Sequence, residues 1–194
     1  MNHEHNEVEH MRFNVVGTSG CGKSTFARQI AQINGLPYIE IDRLFWKPGW
    51  VGSSDEELET KLRAALRADG WVLDGNYQRT TPIKWAEPLC VIWLDYSFTR
   101  VIVQALRRAL NRAWSGTELW SGTGNRESFA TLLFSRDSIV LWSLRTFWPT
   151  RRRYSAALED PTFAHIHFIR FHHPRDAQRW LESQKISSDL NVMP

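Results

Sequence analysis

The sequence predicts an α/β domain built on a parallel sheet of about five strands. Short apolar runs alternate along the chain with longer amphipathic segments, which is typical of βαβ units with right-handed crossovers. The 194 residues suffice for one such domain with a full core and are too few to expect two. A glycine-rich stretch, residues 17–25, lies between the first apolar run and the first helix-like segment.

The strand predictions rest on short apolar runs. Residues 38–41 follow a helix break at Gly35, and residues 71–73 form a run short enough for a buried parallel strand. Each run is followed by an aspartate, Asp42 or Asp74, at the kind of strand end where ligands collect in open α/β sheets. The predicted strands are 13–16, 38–41, 71–73, 90–94 and 164–169.

The helix predictions rest on amphipathic spacing, caps and breaks. Ser53 or Ser54 can cap a helix with acidic residues in its first turn, and Gly70 is expected to end it. An aromatic loop is predicted over 44–50, because the chain cannot be helical through Pro48-Gly49. Pro149 is expected to interrupt another helix. The predicted helices cover about 24–34, 54–70, 80–86, 97–112, 128–147, 151–158 and 174–184.

Residues 17–25 fit the phosphate-binding pattern G-x-x-x-x-G-K-[ST] at every required position. Glycines let successive backbone N–H groups turn inward around a phosphate at the positive end of a helix. Lys23 is expected to reach the β- and γ-phosphates, and the Ser24 hydroxyl a magnesium ion. A glycine turn without a ligand is disfavoured by the flanking strand and helix. The predicted ATP-binding residues are Gly17, Thr18, Ser19, Gly20, Cys21, Gly22, Lys23, Ser24 and Thr25.

The formal net charge of +3 describes a mildly basic chain whose arginines crowd its middle third. This distribution favours an anionic ligand over a surface that coats nucleic acid. Cys21 and Cys90 lack the C-x-x-C spacing of a zinc site and do not support a disulfide framework, so a reducing, cytoplasmic location is expected. No apolar run reaches the length of a membrane span, and no membrane partner is expected.

The predicted domain covers residues 12–184 and lies between two polar ends. Residues 1–11 lack a signal-peptide apolar region and are predicted to be a disordered tail, although their histidines could bind a metal. Residues 185–194 are predicted to be frayed. Loop-forming clusters on both sides of Glu118-Leu119-Trp120 predict a short mobile lid at about 112–128.

Several stretches resemble one known family. With the phosphate loop, they are Tyr38-Ile39-Glu40-Ile41-Asp42-Arg43-Leu44-Phe45-Trp46-Lys47-Pro48-Gly49-Trp50, Trp71-Val72-Leu73-Asp74-Gly75-Asn76-Tyr77 and Val91-Ile92-Trp93-Leu94-Asp95. They resemble adenylate-kinase-related P-loop proteins often labelled FlaR-like DNA topology modulation proteins, over about residues 12–182. The resemblance implies a P-loop NTPase of the nucleotide-kinase-like, three-layer type, with a sheet in the order 2-3-1-4-5 and a small helical lid.

The resemblance also implies roles for individual residues. Asp74 resembles the strand-end aspartate that holds magnesium through water, and residues 171–174 occupy the loop where this fold usually holds adenine. Two stretches depart from adenylate kinases: residues 76–79 replace an aromatic, a proline and an arginine, and residues 42–46 replace a Thr-Gly-Asp stretch. These departures leave the acceptor open.

Phosphoryl transfer asks a protein for positioning and positive charge more than for covalent help. Four arginines flank the predicted lid, where their guanidinium groups can meet the β- and γ-phosphates as the lid closes. Alternatively, such arginines are solvated or paired with surface carboxylates. The four are Arg107, Arg108, Arg112 and Arg126.

Asp42 is the candidate for handling the acceptor, because a strand-end carboxylate beside the phosphate loop can accept or orient a hydroxyl proton. Arg43 could hold an anionic group on that acceptor, and the alternative for Asp42 is a helix or turn cap. Asp95 is expected to cap the helix that begins near Ser97. The predicted catalytic residues are Lys23, Asp42, Asp74 and Arg126.

Aromatic side chains in the predicted loops can stack on a base or a sugar face, or they can fill the core. These are Trp46, Trp50, Tyr77, Trp114 and Trp120, and the predicted acceptor-binding residues are Asp42, Arg43, Trp46, Asn76 and Tyr77. Arg151-Arg152-Arg153 form a phosphate-contacting cluster, a nucleic-acid patch or a solvated face. Three adjacent arginines on a helix cannot all face one ligand.

Two functions follow from these observations. The first is a kinase that uses ATP and Mg²⁺ and transfers phosphate in line to a nucleotide, a nucleoside or another small acceptor. The alternative is a regulatory or DNA-associated ATPase, which ranks lower because no helix-turn-helix or other DNA-reading module is visible. The expected partners are therefore ATP and a small molecule, with nucleic acid less favoured; the oligomeric state is not readable.

Overall fold

A parallel sheet with helices on both faces forms the centre of the protein. The computed structural model describes residues 11–115, 124 and 139–191. The strands are β1 (Arg12–Gly17), β2 (Tyr38–Glu40), β3 (Trp46–Lys47), β4 (Val51–Gly52), β5 (Trp71–Asp74), β6 (Leu89–Leu94) and β7 (Ile166–Phe171). The helices are α1 (Lys23–Ile33), α2 (Ile41–Phe45), α3 (Asp55–Ala65), α4 (Thr81–Lys84), α5 (Phe98–Ser115), α6 (Ile139–Glu159) and α7 (Pro174–Asn191).

The main sheet has five strands in the order β2-β5-β1-β6-β7, and all of its pairings are parallel. Val15 lies level with both Asp74 of β5 and Ile92 of β6, so the three central strands are in register. Strands β3 and β4 form a separate antiparallel hairpin. If the hairpin strands are left out and the remaining five strands are numbered along the chain, their order across the sheet is 2-3-1-4-5. The predicted α/β fold class is confirmed.

Alternate strand residues face two separate apolar layers. On one face of the sheet, Val15 and Ile92 pack with residues of α1 and α7. On the other face, Val16 and Trp93 pack with residues of α3 and α6. Because both faces are covered, the strands are nearly continuous apolar runs, which is why the sequence predicts them well.

One fully buried polar side chain, Asn14, interrupts the apolar residues of β1. Its Nδ2 donates to the carbonyl oxygens of Leu73 at 3.1 Å and of Gly75 at 3.3 Å. Its Oδ1 accepts from Nε1 of Trp85 at 2.9 Å. Because these bonds satisfy the amide, its burial does not leave an unpaired polar group. Asn14 thereby ties β1 to the end of β5 and to the residue after α4.

The predicted interruption at Pro149 is wrong, because α6 runs through this residue without a break. A proline inside a helix removes a hydrogen bond and costs about 3 kcal/mol. Phe147 before the proline and Thr150 and Tyr154 after it are all buried. Packing on both sides of Pro149 therefore holds the two halves of the helix against the domain.

Other differences concern element ends. The predicted aromatic loop is instead α2 followed by the β3–β4 hairpin, and α3 ends at Ala65, before Gly70. Helix α5 continues past residue 112 to Ser115, and α7 continues past Gln184 to Asn191. Most of the predicted lid, residues 1–10 of the predicted N-terminal tail, residues 128–138 of the predicted helix at 128–147 and residues 192–194 lie outside the described residues. None of the helices in the described part of the chain is long and apolar enough to cross a membrane.

Ser54 and Glu57 form a capping box at the start of α3. The Ser54 hydroxyl accepts from the Glu57 N–H at 3.2 Å, and the Glu57 carboxylate accepts from the Ser54 N–H at 3.0 Å. We expect Ser54→Ala to lower the free energy of unfolding by about 1 kcal/mol, because a helix N–H loses its partner. Urea denaturation measures this change. Thr60→Ala, in the same helix, is the control, and an equal loss in both variants would contradict the capping role.

Candidate nucleotide-binding and phosphotransfer site

Residues 17–22 turn the chain from β1 into α1, and the packing leaves no room for side chains at two glycines. A Cβ on Gly17 would lie 2.7 Å from the Leu94 carbonyl oxygen, and one on Gly20 would lie 2.8 Å from the Ala105 Cβ. Both glycines have positive φ, 145° and 91°, a conformation that L side chains rarely adopt. Helix α1 begins directly after this turn, at Lys23. Its first N–H groups therefore form a site suited to an anion.

Helices α5 and α6 both contact this loop. The Ser143 hydroxyl of α6 donates to the Ser19 carbonyl oxygen at 3.0 Å. The Arg108 guanidinium of α5 donates to the Ser19 hydroxyl at 3.4 Å. Lys23 Nζ donates to the Thr18 carbonyl oxygen at 3.3 Å, so its ammonium group folds back over the loop. Two positive charges thus lie beside the backbone turn.

A cleft of about 240 Å³ adjoins the loop between α1, α5 and α7. Its walls include Cys21 and Thr25 on the loop side, Gln104 of α5, and Pro174 and Gln178 of α7. Burial raises the pKa of the Cys21 thiol, so this side chain is neutral and forms part of an uncharged wall. The cleft therefore runs from the phosphate loop to the start of α7.

Two aspartates follow neighbouring strands beside the phosphate loop, and each accepts a hydrogen bond from a tyrosine. Asp74 ends β5 and accepts from the Tyr38 hydroxyl at 2.9 Å. Asp42 lies in α2, directly after β2, and accepts from the Tyr77 hydroxyl at 2.8 Å. Because β2 and β5 pair in parallel, with Glu40 level with Asp74, the two carboxylates lie at one edge of the sheet.

Asp42 titrates in an environment set by its burial and by nearby charges. Desolvation raises the pKa of its carboxyl, and the charge of Asp74 adds to this increase. The Tyr77 hydrogen bond and the charges of Lys23 and Arg108 oppose it. A desolvated carboxylate accepts a proton more readily than a solvated one. The predicted residues Lys23, Asp42 and Asp74 are therefore close enough to act on one another electrostatically.

Asn76 clamps the first residue of the phosphate loop. Its Nδ2 donates to the Gly17 carbonyl oxygen at 2.7 Å, and its Oδ1 accepts from the Gly17 N–H at 3.0 Å. The Tyr154 hydroxyl of α6 donates to the same Oδ1 at 3.2 Å. The carbonyl oxygen of Asn76 accepts from Lys84 Nζ at 2.7 Å. The segment after β5 thus holds the end of β1 in place.

Lys84 is only 2% exposed, although its Nζ has no carboxylate partner among the described residues. Burial, together with the like charge of Arg153, lowers the pKa of Lys84 from its ordinary 10.5 to about 7. The Trp85 ring centroid lies 5.8 Å from Nζ. A cation–π interaction at this distance offsets little of the cost of desolvating the ammonium group. Lys84 is therefore about half neutral near pH 7.

The β3–β4 hairpin adds an aromatic wall on the side of Asp42. The Phe45 and Tyr77 ring centroids lie 5.3 Å apart, and those of Trp46 and Trp50 lie 5.6 Å apart. Trp46 is half-buried and Trp50 is 42% exposed, so this wall is partly open to solvent. The wall adjoins the carboxylate through Tyr77, which bonds Asp42.

The other predicted site residues are less closely grouped. Arg43 and Arg107 are exposed, and Trp114 is 88% exposed. The predicted residues outside the described part of the structure are the side chain of Arg112, Arg126 and Trp120.

The predicted capping role of Asp95 is wrong. Its carboxylate, which is 3% exposed, accepts from Nε and Nη2 of Arg170 at 3.0 and 2.6 Å. Arg151 Nη2 and His172 Nδ1 lie 3.2 and 3.4 Å from the same carboxylate oxygen. The Asp95 carboxylate is therefore engaged by side chains from distant parts of the chain rather than by the N–H groups of a helix. Arg153 instead contacts Gln78, so the adjacent arginines diverge as helical spacing requires.

The comparisons with known proteins agree with this geometry at the level of the domain. Residues 13–96 match the family model described as ATPase family associated with various cellular activities (AAA). The chain contains a P-loop NTPase domain. The matched region runs from β1 through the phosphate loop to the end of β6. No curated protein matches the sequence significantly.

Two solved structures are similar to this chain at low sequence identity. A gluconokinase from Sinorhizobium meliloti 1021 shares 18% identity, with 94% of this chain and 98% of that chain covered and a TM-score of 0.48. An unliganded sugar kinase from Janibacter sp. HTCC2649 shares 15% identity, with 92% and 91% covered and a TM-score of 0.47. Similarity this distant does not identify a substrate for this chain.

Sequence reasoning misses several residues that hold the site together. Asn14 could have been noticed, because an amide within an apolar strand needs partners. The sequence predicts Tyr38 only as part of a strand and Lys84 only as part of a short helix. Tyr154 and Ser143 lie on α6, far along the chain from the loop that they support. No spacing in the sequence connects these residues with the phosphate loop.

We expect the free energy of unfolding to rise between about pH 7 and pH 10.5, because Lys84 is then neutral when folded and protonated when unfolded. The unfolded chain binds more protons over this range, so stability increases with pH. The contribution is on the order of a few kcal/mol. Urea denaturation across this range measures it, and Lys84→Met should lack it. Parallel pH profiles for the two proteins would show that the folded protein keeps Lys84 charged.

Proposed function

We propose that this protein is a magnesium-dependent kinase that transfers the γ-phosphate of ATP to a nucleotide, a nucleoside or another small hydroxylated acceptor. One observation carries the proposal: the Asp42 carboxylate lies at the same sheet edge as Asp74, and it is bonded by Tyr77, the residue after the Asn76 that bonds Gly17 of the phosphate loop. The loop accounts for a phosphate donor. The carboxylate and the aromatic wall beside it account for an acceptor with a hydroxyl group.

The donor half is built around residues 17–25, whose backbone N–H groups wrap the phosphates. Lys23 binds the β- and γ-phosphates, and Arg108 approaches them from α5. Arg107, Arg112 and Arg126 extend this positive charge in and beside the predicted lid. The cleft beside Cys21 receives the base of the nucleotide.

The residues present fit a magnesium ion. Magnesium keeps several waters and is usually bound by one or two side-chain oxygens together with substrate phosphates. Ser24 is half-buried in the first turn of α1, and the Asp74 carboxylate, which accepts from Tyr38 at Oδ2, ends the neighbouring strand β5. Ser24 and Asp74 would therefore hold the ion. Its chemistry would be to neutralise charge on the β- and γ-phosphates.

The acceptor half is centred on Asp42. The acceptor oxygen forms a bond to the γ-phosphorus, the bond from that phosphorus to the ADP oxygen breaks, and the hydroxyl proton moves to Asp42. Tyr77 orients the carboxylate through its hydrogen bond to Oδ1. Trp46 and Asn76 border the acceptor on the hairpin side and the loop side, and Arg43 is available for an anionic group.

A second candidate is a regulatory or DNA-associated ATPase, in keeping with the resemblance to FlaR-like proteins. The observation that favours it is the exposure of Arg100 and Arg107 on α5 and of Arg145 and Arg152 on α6. Binding to duplex DNA that weakens steeply with salt would support this candidate, because neutralised phosphates release counterions. Phosphate transfer from labelled ATP to a panel of nucleotides, nucleosides and sugars separates the two, since an ATPase releases only inorganic phosphate.

Lys23→Ala should lower ATP turnover by at least about 100-fold, because the variant loses the charge that balances the γ-phosphate in the transition state. The fold should remain intact, because the Lys23 side chain makes one long contact within the loop. Labelled phosphate release measures turnover, and thermal unfolding tests the fold. Lys61→Ala is the matched control, since Lys61 also donates to a backbone carbonyl but lies on α3. Turnover at the wild-type rate in Lys23→Ala would refute the proposal.

Asp42→Asn should lower kcat for phosphate transfer by about 100-fold or more while leaving ATP affinity nearly unchanged, because the amide cannot accept the acceptor's proton. Wild-type kcat should fall as the pH is lowered through the raised pKa of Asp42. Steady-state kinetics with the acceptor found by the panel measure both effects. A parallel loss of kcat and ATP affinity would indicate a role in nucleotide binding instead.

A further inference from the structure

We propose that Lys84 is a positioning residue that holds the phosphate loop and the acceptor carboxylate in one arrangement through the segment 75–77. The proposal rests on the proposed function for what these groups bind. Its geometric basis is independent of that function. Lys84 Nζ donates to the Asn76 carbonyl oxygen at 2.7 Å, and the Asn76 side chain bonds both the N–H and the carbonyl of Gly17.

The same segment reaches the acceptor side. Tyr77 follows Asn76 directly, and its hydroxyl donates to Oδ1 of Asp42 at 2.8 Å. One buried ammonium group therefore anchors a backbone segment with two further contacts. The Asn76 side chain of this segment bonds Gly17, and its Tyr77 side chain bonds Asp42. A shift of this segment would move the end of β1 and the Asp42 carboxylate together.

Fold stability does not account for a lysine at this position. The ammonium group is buried, the like charge of Arg153 acts on it, and the Trp85 ring centroid lies 5.8 Å from Nζ. No carboxylate of the described residues forms an ion pair with it. A buried charge without an opposite charge costs more than an apolar side chain of similar volume. Methionine would fill the same space at lower cost. What methionine cannot supply is the hydrogen bond to Asn76.

Positioning and stability therefore predict opposite outcomes for Lys84→Met. If Lys84 positions the loop, the variant should be as stable as the wild type or more stable at pH 7, while its Kd for ATP rises about tenfold. Thermal unfolding measures the first quantity and isothermal titration with MgATP the second. Lys61→Met is the matched control, because Lys61 also donates to a backbone carbonyl, that of Leu44, and its ATP affinity should not change.

Hydrogen exchange provides a readout that needs no nucleotide. Backbone amides of residues 17–22 should exchange faster in unliganded Lys84→Met than in the wild type, while those of α7 should not. If wild-type protein binds no MgATP, the proposed function fails, but the exchange of the loop amides still decides the role of Lys84. An unchanged exchange rate in the loop would overturn the positioning role.

A second variant keeps the test decisive if Lys84→Met does not fold. Lys84→Gln retains a neutral donor that can reach toward the Asn76 carbonyl oxygen. Loop exchange and ATP affinity within about threefold of the wild type support positioning by the hydrogen bond. A folded Lys84→Gln that matches the wild type in stability but binds ATP about tenfold more weakly or worse would overturn it. Wild-type ATP affinity in a folded Lys84→Met would overturn it as well.

Discussion

The end of β1 is confined on two sides, and this confinement fixes the phosphate loop. The Leu94 carbonyl oxygen leaves no space for a side chain at Gly17, and the Asn76 amide bonds both backbone groups of that glycine. Strand β6 and the segment after β5 therefore set where the loop begins. The position of α1, and of the N–H groups at its start, follows from that point.

Desolvation shapes the chemistry on both sides of the loop. Asp42 loses solvent beside Lys23, which raises the pKa of its carboxyl and suits it to accept a proton. Lys84 loses solvent beneath the segment 75–77, where its ammonium group has a backbone carbonyl as partner. Both burials oppose folding, and the apolar layers on the two sheet faces offset them. The proposed donor and acceptor halves meet in this one segment, which contacts Gly17 and Asp42.

The sequence predicts the layers of this fold because they depend on local pattern. Strands covered on both faces are apolar runs, and a glycine-rich turn before a helix is visible as a motif. Asp42 and Asp74 could be named because a residue that ends a parallel strand lies at a known edge of the sheet. Pro149 and Asp95 were predicted wrongly, because burial around α6 and distant guanidinium groups outweigh the local preferences for a break and a cap.

The sequence by itself determined the α/β class, the phosphate loop and the strand-end aspartates, since these depend on residues adjacent in the chain. Only the tertiary structure decided which side chains support them. Asn76 and Gly17 are separated by 59 positions, and Ser143 and Ser19 by 124. Lys84 is likewise buried by the packing of α4 against other elements, among them α3, rather than by its neighbours in sequence. Such contacts arise from the crossover geometry of the sheet, which brings distant segments together and removes water from between them.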